Sequence, residues 1–146
     1  IFLENARMYY AKLEIVDDLM NVLEKDKICK LAVFDMEDAE KNAYKALEKY
    51  NENLLVCLSG HNWVDLMNPG VNKGEAIKIL QENYNISYDE TMAFGDYLND
   101  FEMMKNCKYS YAMENAHPKL KEVCNYRAKS NDEDGVVEAI KEYFQL

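Results

Sequence analysis

The chain has 146 residues, a formal net charge of −10 and a pI near 4.7, so nucleic acid and anionic membrane surfaces are not expected partners. Hydrophobic residues make up 49% and aromatic residues 12% of the sequence, enough for a packed core and too many for a disordered chain. No apolar run is long enough to span a bilayer and there is no signal-peptide pattern.

Residues 1–13 are ambiguous, with a strand through Tyr9 and Tyr10 as the reading offered. From Glu14 to Lys25 the apolar positions Ile15, Val16, Leu19, Met20 and Leu23 follow helical spacing. Ile28–Phe34 reads as a strand, and Asp35 as the cap of a helix running to about Tyr50 with Ala39, Ala43, Leu47 and Tyr50 on one face. Asn53–Leu58 is a second strand, Ser59–Asn62 a turn and Trp63–Met67 a third strand. Asn68-Pro69-Gly70 breaks the chain, and the pattern then changes. Asn72 caps a helix whose expected buried face is Ala76, Ile77, Leu80 and Tyr84, with Glu75 three residues after the cap. A strand at Met92–Phe94, a helix from about Tyr97, a strand at Tyr109–Met113 and a helix capped by Asn115 follow. A weak strand at Asn125–Ala128 and a helix carrying Val136, Val137, Ile140 and Phe144 finish the chain. Residues 1–67 therefore read as an α+β unit, and 68–146 as parallel α/β units with helices on the sheet faces.

Two stretches carry chemistry. Thr91–Asp100 is an apolar strand that ends in Gly95 and runs into an acidic cluster at the carboxyl edge of a sheet, where open α/β folds bind ligands. Asp96 and Asp100, with Asn99 beside them, read either as carboxylates sharing a hard cation such as Mg²⁺ or as acids at a helix N-terminus. Upstream, Lys73 stands at the first turn of a helix, where the dipole disfavours a cation by roughly 0.3–1 kcal/mol. Gly74 weakens the same turn. Both costs make sense where a phosphate or carboxylate is to be bound. Lys73 and Asp96 are 23 residues apart, the separation of neighbouring ligand-edge positions in a parallel sheet.

Val71-Asn72-Lys73-Gly74-Glu75-Ala76 and Met92-Ala93-Phe94-Gly95-Asp96-Tyr97-Leu98-Asn99-Asp100 resemble the haloacid dehalogenase superfamily, and within it the Cof-like phosphatases with a large inserted cap. Phe101-Glu102-Met103-Met104, Ala112–Ala116 and Asn131–Val136 are also similar to that family. The resemblance implies a Rossmann-like core, of which residues 68–146 are the carboxyl-terminal half, preceded at 1–67 by the end of an α+β cap. It implies Mg²⁺-dependent hydrolysis of phosphate monoesters of small metabolites, such as sugar phosphates, through an aspartyl-phosphate. Lys73 then resembles the lysine that binds phosphate and nucleophile, and Asn99 the asparagine near the phosphoryl group. Asp96 resembles the direct metal ligand and Asp100 the acid that supports the metal shell.

The same family needs a nucleophilic Asp-x-Asp before the cap, and no convincing counterpart stands in the chain. Asp132-Glu133-Asp134-Gly135 follows a polar run and reads as a helix start. Leu31-Ala32-Val33-Phe34-Asp35 with Ser59 would make a compact capless enzyme, but Glu37 replaces the second aspartate and Ser59 to Lys73 leaves little room for a crossover helix. A strand-end cap at Asp35 is the favoured reading. The chain is therefore expected to be a fragment, inactive alone. A non-catalytic module that dimerises through exposed sheet edges, and a phosphomutase, are the alternatives. His61 and His117 read as turn and helix-start residues, and Trp63 as packing before cleft lining. Cys29, Cys57, Cys107 and Cys124 have no paired spacing and read as reduced thiols, which suggests a cytoplasmic protein.

Overall fold

The computed structural model describes all residues, Ile1–Leu146. They form two sheets of three strands, one antiparallel and one parallel.

The antiparallel sheet has the order β1-β3-β2, with β1 at Lys30–Phe34, β2 at Leu55–Gly60 and β3 at Trp63–Met67. Alternation along β3 sends Val64 and Leu66 to one face, where they meet Val56, Leu58 and Ala39 in a buried cluster. Asp65 points to the other face, opposite Ala32 on β1 and Cys57 on β2. A bulge between Leu58 and Gly60 lets the hairpin close at His61-Asn62. Asn62 also holds the end of β1, its side-chain amide donating to the Asp35 carbonyl at 2.8 Å.

The parallel sheet has the order β4-β5-β6, at Met92–Gly95, Tyr109–Met113 and Tyr126–Ala128. Its core joins Ala93, Met104, Cys107, Ala112, Leu120, Cys124 and Ala139. Aromatic rings run in a row across its strands: Phe94 stacks on Tyr111 at 4.9 Å and Tyr111 on Tyr126 at 5.0 Å. The carboxyl-terminal helix, Gly135–Phe144, sets Tyr143 edge-on to Tyr109 at 4.8 Å.

Several elements differ from the sequence reading. Residues 2–9 form a helix, α1 (Phe2–Tyr9), rather than a strand: Leu, Glu, Ala, Arg and Met favour helix, Ala6 is buried, and Phe2 packs on Phe34 and Trp63. The helix expected over 14–25 shrinks to one turn, α2 (Met20–Leu23), because Ile15, Val16, Leu19 and Met20 find nothing to pack against and are exposed. After Asp35 the chain turns before α3 (Ala43–Leu47) begins, so only the second half of the expected helix forms, its end as a 3-10 turn from Glu48. α4 spans Lys73–Tyr84 as expected, but its packed positions are Gly74, Ile77 and Gln81, while Leu80 and Tyr84 are 48% and 72% exposed. Gln81 is held there by donating to the Thr91 hydroxyl and the Asn106 carbonyl.

From Leu98 a single 3-10 turn leads into the short α5, Phe101–Lys105. α6, Pro118–Val123, is capped by His117, whose Nδ1 accepts the Lys119 N–H, and not by Asn115. Asn115 instead accepts the Asn131 N–H and ties the segment after β6 back to the end of β5.

Candidate phosphate site at the carboxyl edge of the parallel sheet

β4 stops at Gly95, and the chain turns so sharply that Asp100 folds back over the strand end. The Asp96 N–H donates to Asp100 Oδ2 at 3.1 Å. A Cβ on Gly95 would stand 2.7 Å from that same oxygen, so only glycine leaves it room. Asp96 and Asp100 thus converge through a backbone bond, rather than by sharing a helix face. The other oxygen, Oδ1, accepts the Lys73 ammonium at 2.5 Å. Asp100 is buried and Lys73 half-exposed, so the carboxylate is fixed and the ammonium reaches toward solvent.

Lys73 is aimed by its own helix. Asn72 Oδ1 accepts the Glu75 N–H at 3.0 Å, capping α4, while the Glu75 carboxylate turns outward to Lys78. Gly74 has a reason other than anion binding. A Cβ there would lie 2.8 Å from the Glu102 carbonyl oxygen, so the glycine lets the first turn of α4 press onto α5.

The Asp96 carboxylate is exposed, and its carbonyl accepts the His117 N–H at 2.8 Å, which joins the strand end to α6. His117 also reaches the antiparallel layer, with Nε2 3.5 Å from Glu40. Asn99 is half-buried and lines two cavities. One, of about 300 Å³, also has Lys73, Asn72, Ala76, Cys57, Asp65 and Lys30 on its wall. The other, of about 480 Å³, runs from Asn99 past Lys30 and Asp65 to Trp63, Tyr9 and Tyr10. Trp63 both packs and lines a cleft, since its ring also meets Phe34 at 4.9 Å.

All four cysteines are free. Burial, then the charges of Asp65 and Asp100, pushes the Cys57 thiol up to about 11, against the opposing pull of Lys73. It stays protonated near neutral pH and is not a nucleophile.

Asp35 lies outside the site. Its strand pairs with β3 and not with β4, and its Oδ1 accepts the N–H groups of Glu37 and Asp38 at 2.9 and 3.0 Å. These bonds, the Glu37 one foremost, hold its pKa below the usual aspartate value. Asp35 is a turn-capping residue, and the capless arrangement does not form. Asp134, in the other Asp-x-Asp spelling, is the left-handed residue (φ 54°) that starts the last helix.

No three His, Cys, Asp or Glu side chains gather closely enough to enclose a metal ion by themselves. Mg²⁺ does not require that, since it is held by one or two carboxylates plus water and phosphate oxygens. An exposed Asp96 carboxylate beside a buried, fully bonded Asp100 fits such a partial donor set, with Asp96 free to ligate and Asp100 already engaged on both oxygens.

Sequence reading missed Lys30, Asp65 and Cys57 as cavity-lining residues. The available signal was Asp65 itself, an acid inside the apolar run Trp63–Met67, out of phase with the core positions Val64 and Leu66.

A lysine-carboxylate pair at the carboxyl ends of parallel strands, above a helix N-terminus, is the arrangement of α/β proteins that handle small anionic ligands. The model for haloacid dehalogenase-like hydrolases matches residues 3–140, and the chain belongs to that family. It is 35% identical over 136 residues to 5-amino-6-(5-phospho-D-ribitylamino)uracil phosphatase YbjI of Escherichia coli, covering 92% of this chain and 49% of that protein. A Bacillus subtilis phosphatase of the same description, YcsE, is 32% identical over 111 residues, covering 75% of this chain and 45% of that one. Among solved structures, a Streptococcus mutans protein matches with 40% identity and a TM-score of 0.72 over 81% of this chain and 45% of its own. A haloacid dehalogenase-like hydrolase from Bacillus subtilis matches with 27% identity and a TM-score of 0.75 over 86% and 45%. The chain spans about half the length of the curated relatives it matches.

Proposed function

We propose that this chain supplies the phosphate clamp and the metal-supporting carboxylates of a Mg²⁺-dependent phosphatase acting on small phosphorylated metabolites. The observation that carries the reading is the Lys73–Asp100 pair folded over the end of β4, with Asp96 exposed beside it. Lys73 donates to a phosphate oxygen and offsets its charge; Asn99 donates its amide to a second oxygen from the cavity wall. Asp100 keeps the lysine in place and leaves Asp96 as the open carboxylate. Asp96 would be the direct Mg²⁺ ligand with Asp100 supporting it from behind, and the metal when bound would neutralise the charge of the phosphoryl group. Both named relatives are phosphatases of a phosphorylated ribityl compound, which favours a sugar- or polyol-bearing phosphoester here. We assign residues 1–67 to the cap and 68–146 to the core, and the four free thiols favour a cytoplasmic location.

The attacking carboxylate is not among the residues at this site. Without it there is no covalent intermediate, so the 146-residue chain is expected to release nitrophenol from p-nitrophenyl phosphate no faster than Mg²⁺ buffer does. Robust Mg²⁺-dependent hydrolysis would overturn this half-site reading. A second, non-enzymatic reading rests on the exposed Leu80 and Tyr84 of α4 and on the unpaired outer edge of β4. It predicts self-association, so sedimentation should give a dimer or larger species at micromolar concentration, and a sharp monomer boundary removes it.

A further inference from the structure

We infer that Lys30 and Asp65 form a hydroxyl-recognition site for the organic part of the phosphoester, so that the chain prefers polyol or sugar phosphates to alkyl or aryl ones. The inference rests on the phosphate clamp proposed above and extends it.

Asp65 lies on the middle strand of its sheet between two fully core residues, and its side chain is 9% exposed. A buried carboxylate is costly unless its oxygens are bonded. Lys30 takes Oδ2 at 3.1 Å; Oδ1 receives no hydrogen bond from the chain and is not sealed from solvent, so it stays open to a donor. Lys30, Asp65 and Asn99 are the residues shared by the walls of both cavities. A phosphate on Lys73 and Asn99 in the smaller cavity therefore puts the carbons attached to it at Lys30–Asp65.

The chemistry of the pair selects what those carbons bear. A hydroxyl both donates and accepts; the free carboxylate oxygen needs the donor and the half-exposed ammonium has protons to give. An ester with no hydroxyl leaves Asp65 Oδ1 dehydrated and unpaired, the situation in which a polar site rejects a substrate. Beyond the pair, Trp63 and Tyr9 meet edge to face at 6.3 Å and give the otherwise polar larger cavity one aromatic side.

The test is titration of the ¹⁵N-labelled 146-residue chain, in Mg²⁺, with inorganic phosphate, ethyl phosphate and ribitol 5-phosphate. The wild-type chain should bind ribitol 5-phosphate about tenfold more tightly than ethyl phosphate, the order of one charge-assisted hydrogen bond. Asp65→Asn, which keeps the side-chain volume, and Lys30→Met, which keeps the stem, should each abolish that preference, so that ribitol 5-phosphate and ethyl phosphate bind alike. Either variant suffices if the other does not fold. Equal wild-type affinity for the two esters, or an equal loss for all three probes in the folded variants, reduces the pair to a structural ion pair and overturns the inference alone. If inorganic phosphate binding ignores Lys73→Met, the clamp itself fails, and this inference falls with it.

Discussion

Replacing Lys73 by methionine is expected to weaken binding of inorganic phosphate by at least tenfold in the presence of Mg²⁺, measured by calorimetry or by chemical-shift titration. A hydrogen bond to a charged partner contributes about 1.5–3 kcal/mol, which spans roughly tenfold to a hundredfold in affinity. Methionine keeps the length of the stem and removes the charge. The substitution also orphans Asp100, a buried carboxylate left with only the Asp96 N–H, so a loss of about 1–2 kcal/mol in stability should accompany the binding defect, moderated because Lys73 is half exposed. Lys73→Arg separates charge from shape: it retains the cation but presents a planar fork to a carboxylate placed for an ammonium. It should recover only part of the affinity. Phosphate affinity within twofold of wild type for Lys73→Met would sink the assignment.

The largest loss of stability is expected at Gly135. A Cβ there would lie 2.0 Å from the Lys129 carbonyl oxygen, 2.6 Å from its carbon and 2.9 Å from the Ser130 oxygen. All three are backbone atoms, so no rotamer change relieves the overlap. Gly135→Ala must move the last helix away from the segment after β6, breaking the Gly135 N–H bond to Ser130 and loosening Ala139 in the core. Urea unfolding should show a loss of about 3 kcal/mol, the upper end of overpacking costs. Gly70→Ala is the contrast: its φ of +80° strains alanine, but nothing lies within 4 Å. That change should cost only about 1–2 kcal/mol. Similar midpoints for the two variants would refute the packing account.

The carboxyl-terminal part of the fold was legible because its cues are local. Strand β5 has the bounds read from the sequence, and helix α4 begins where the Asn72 cap puts it. The amino-terminal part was not, because its cues are tertiary. Helicity in residues 2–9 is reinforced by Phe2 and Tyr9 on Trp63, a residue more than fifty positions away. The apolar spacing of 14–25 is genuine, yet without a packing partner a short helix does not persist in water. At the site, Lys73, Asp96, Asn99 and Asp100 could be named from the motif they resemble, and the structure puts Lys73 against Asp100 and Asn99 on the cavity wall. Which oxygen of Asp100 meets which partner was not readable, since it depends on the turn that Gly95 permits. Lys30 and Asp65 were also out of reach, because their pairing depends on β3 being the middle strand.

The turn after β4 has a mechanical consequence. Tyr97 and Leu98 follow the end of the parallel sheet in sequence, but they pack into the buried cluster of the antiparallel layer beside Val56 and Leu58. From Asp96 to Leu98 there are two residue steps, which span about 7 Å at full extension. The two layers are therefore closely tethered at this point. Any rocking beyond that reach must pull Leu98 out of its cluster into water, while smaller motions leave it seated. The strand end that carries Asp96 is thus on a short leash to the opposite layer, and Asn99 on the cavity wall sits one residue beyond the anchored Leu98.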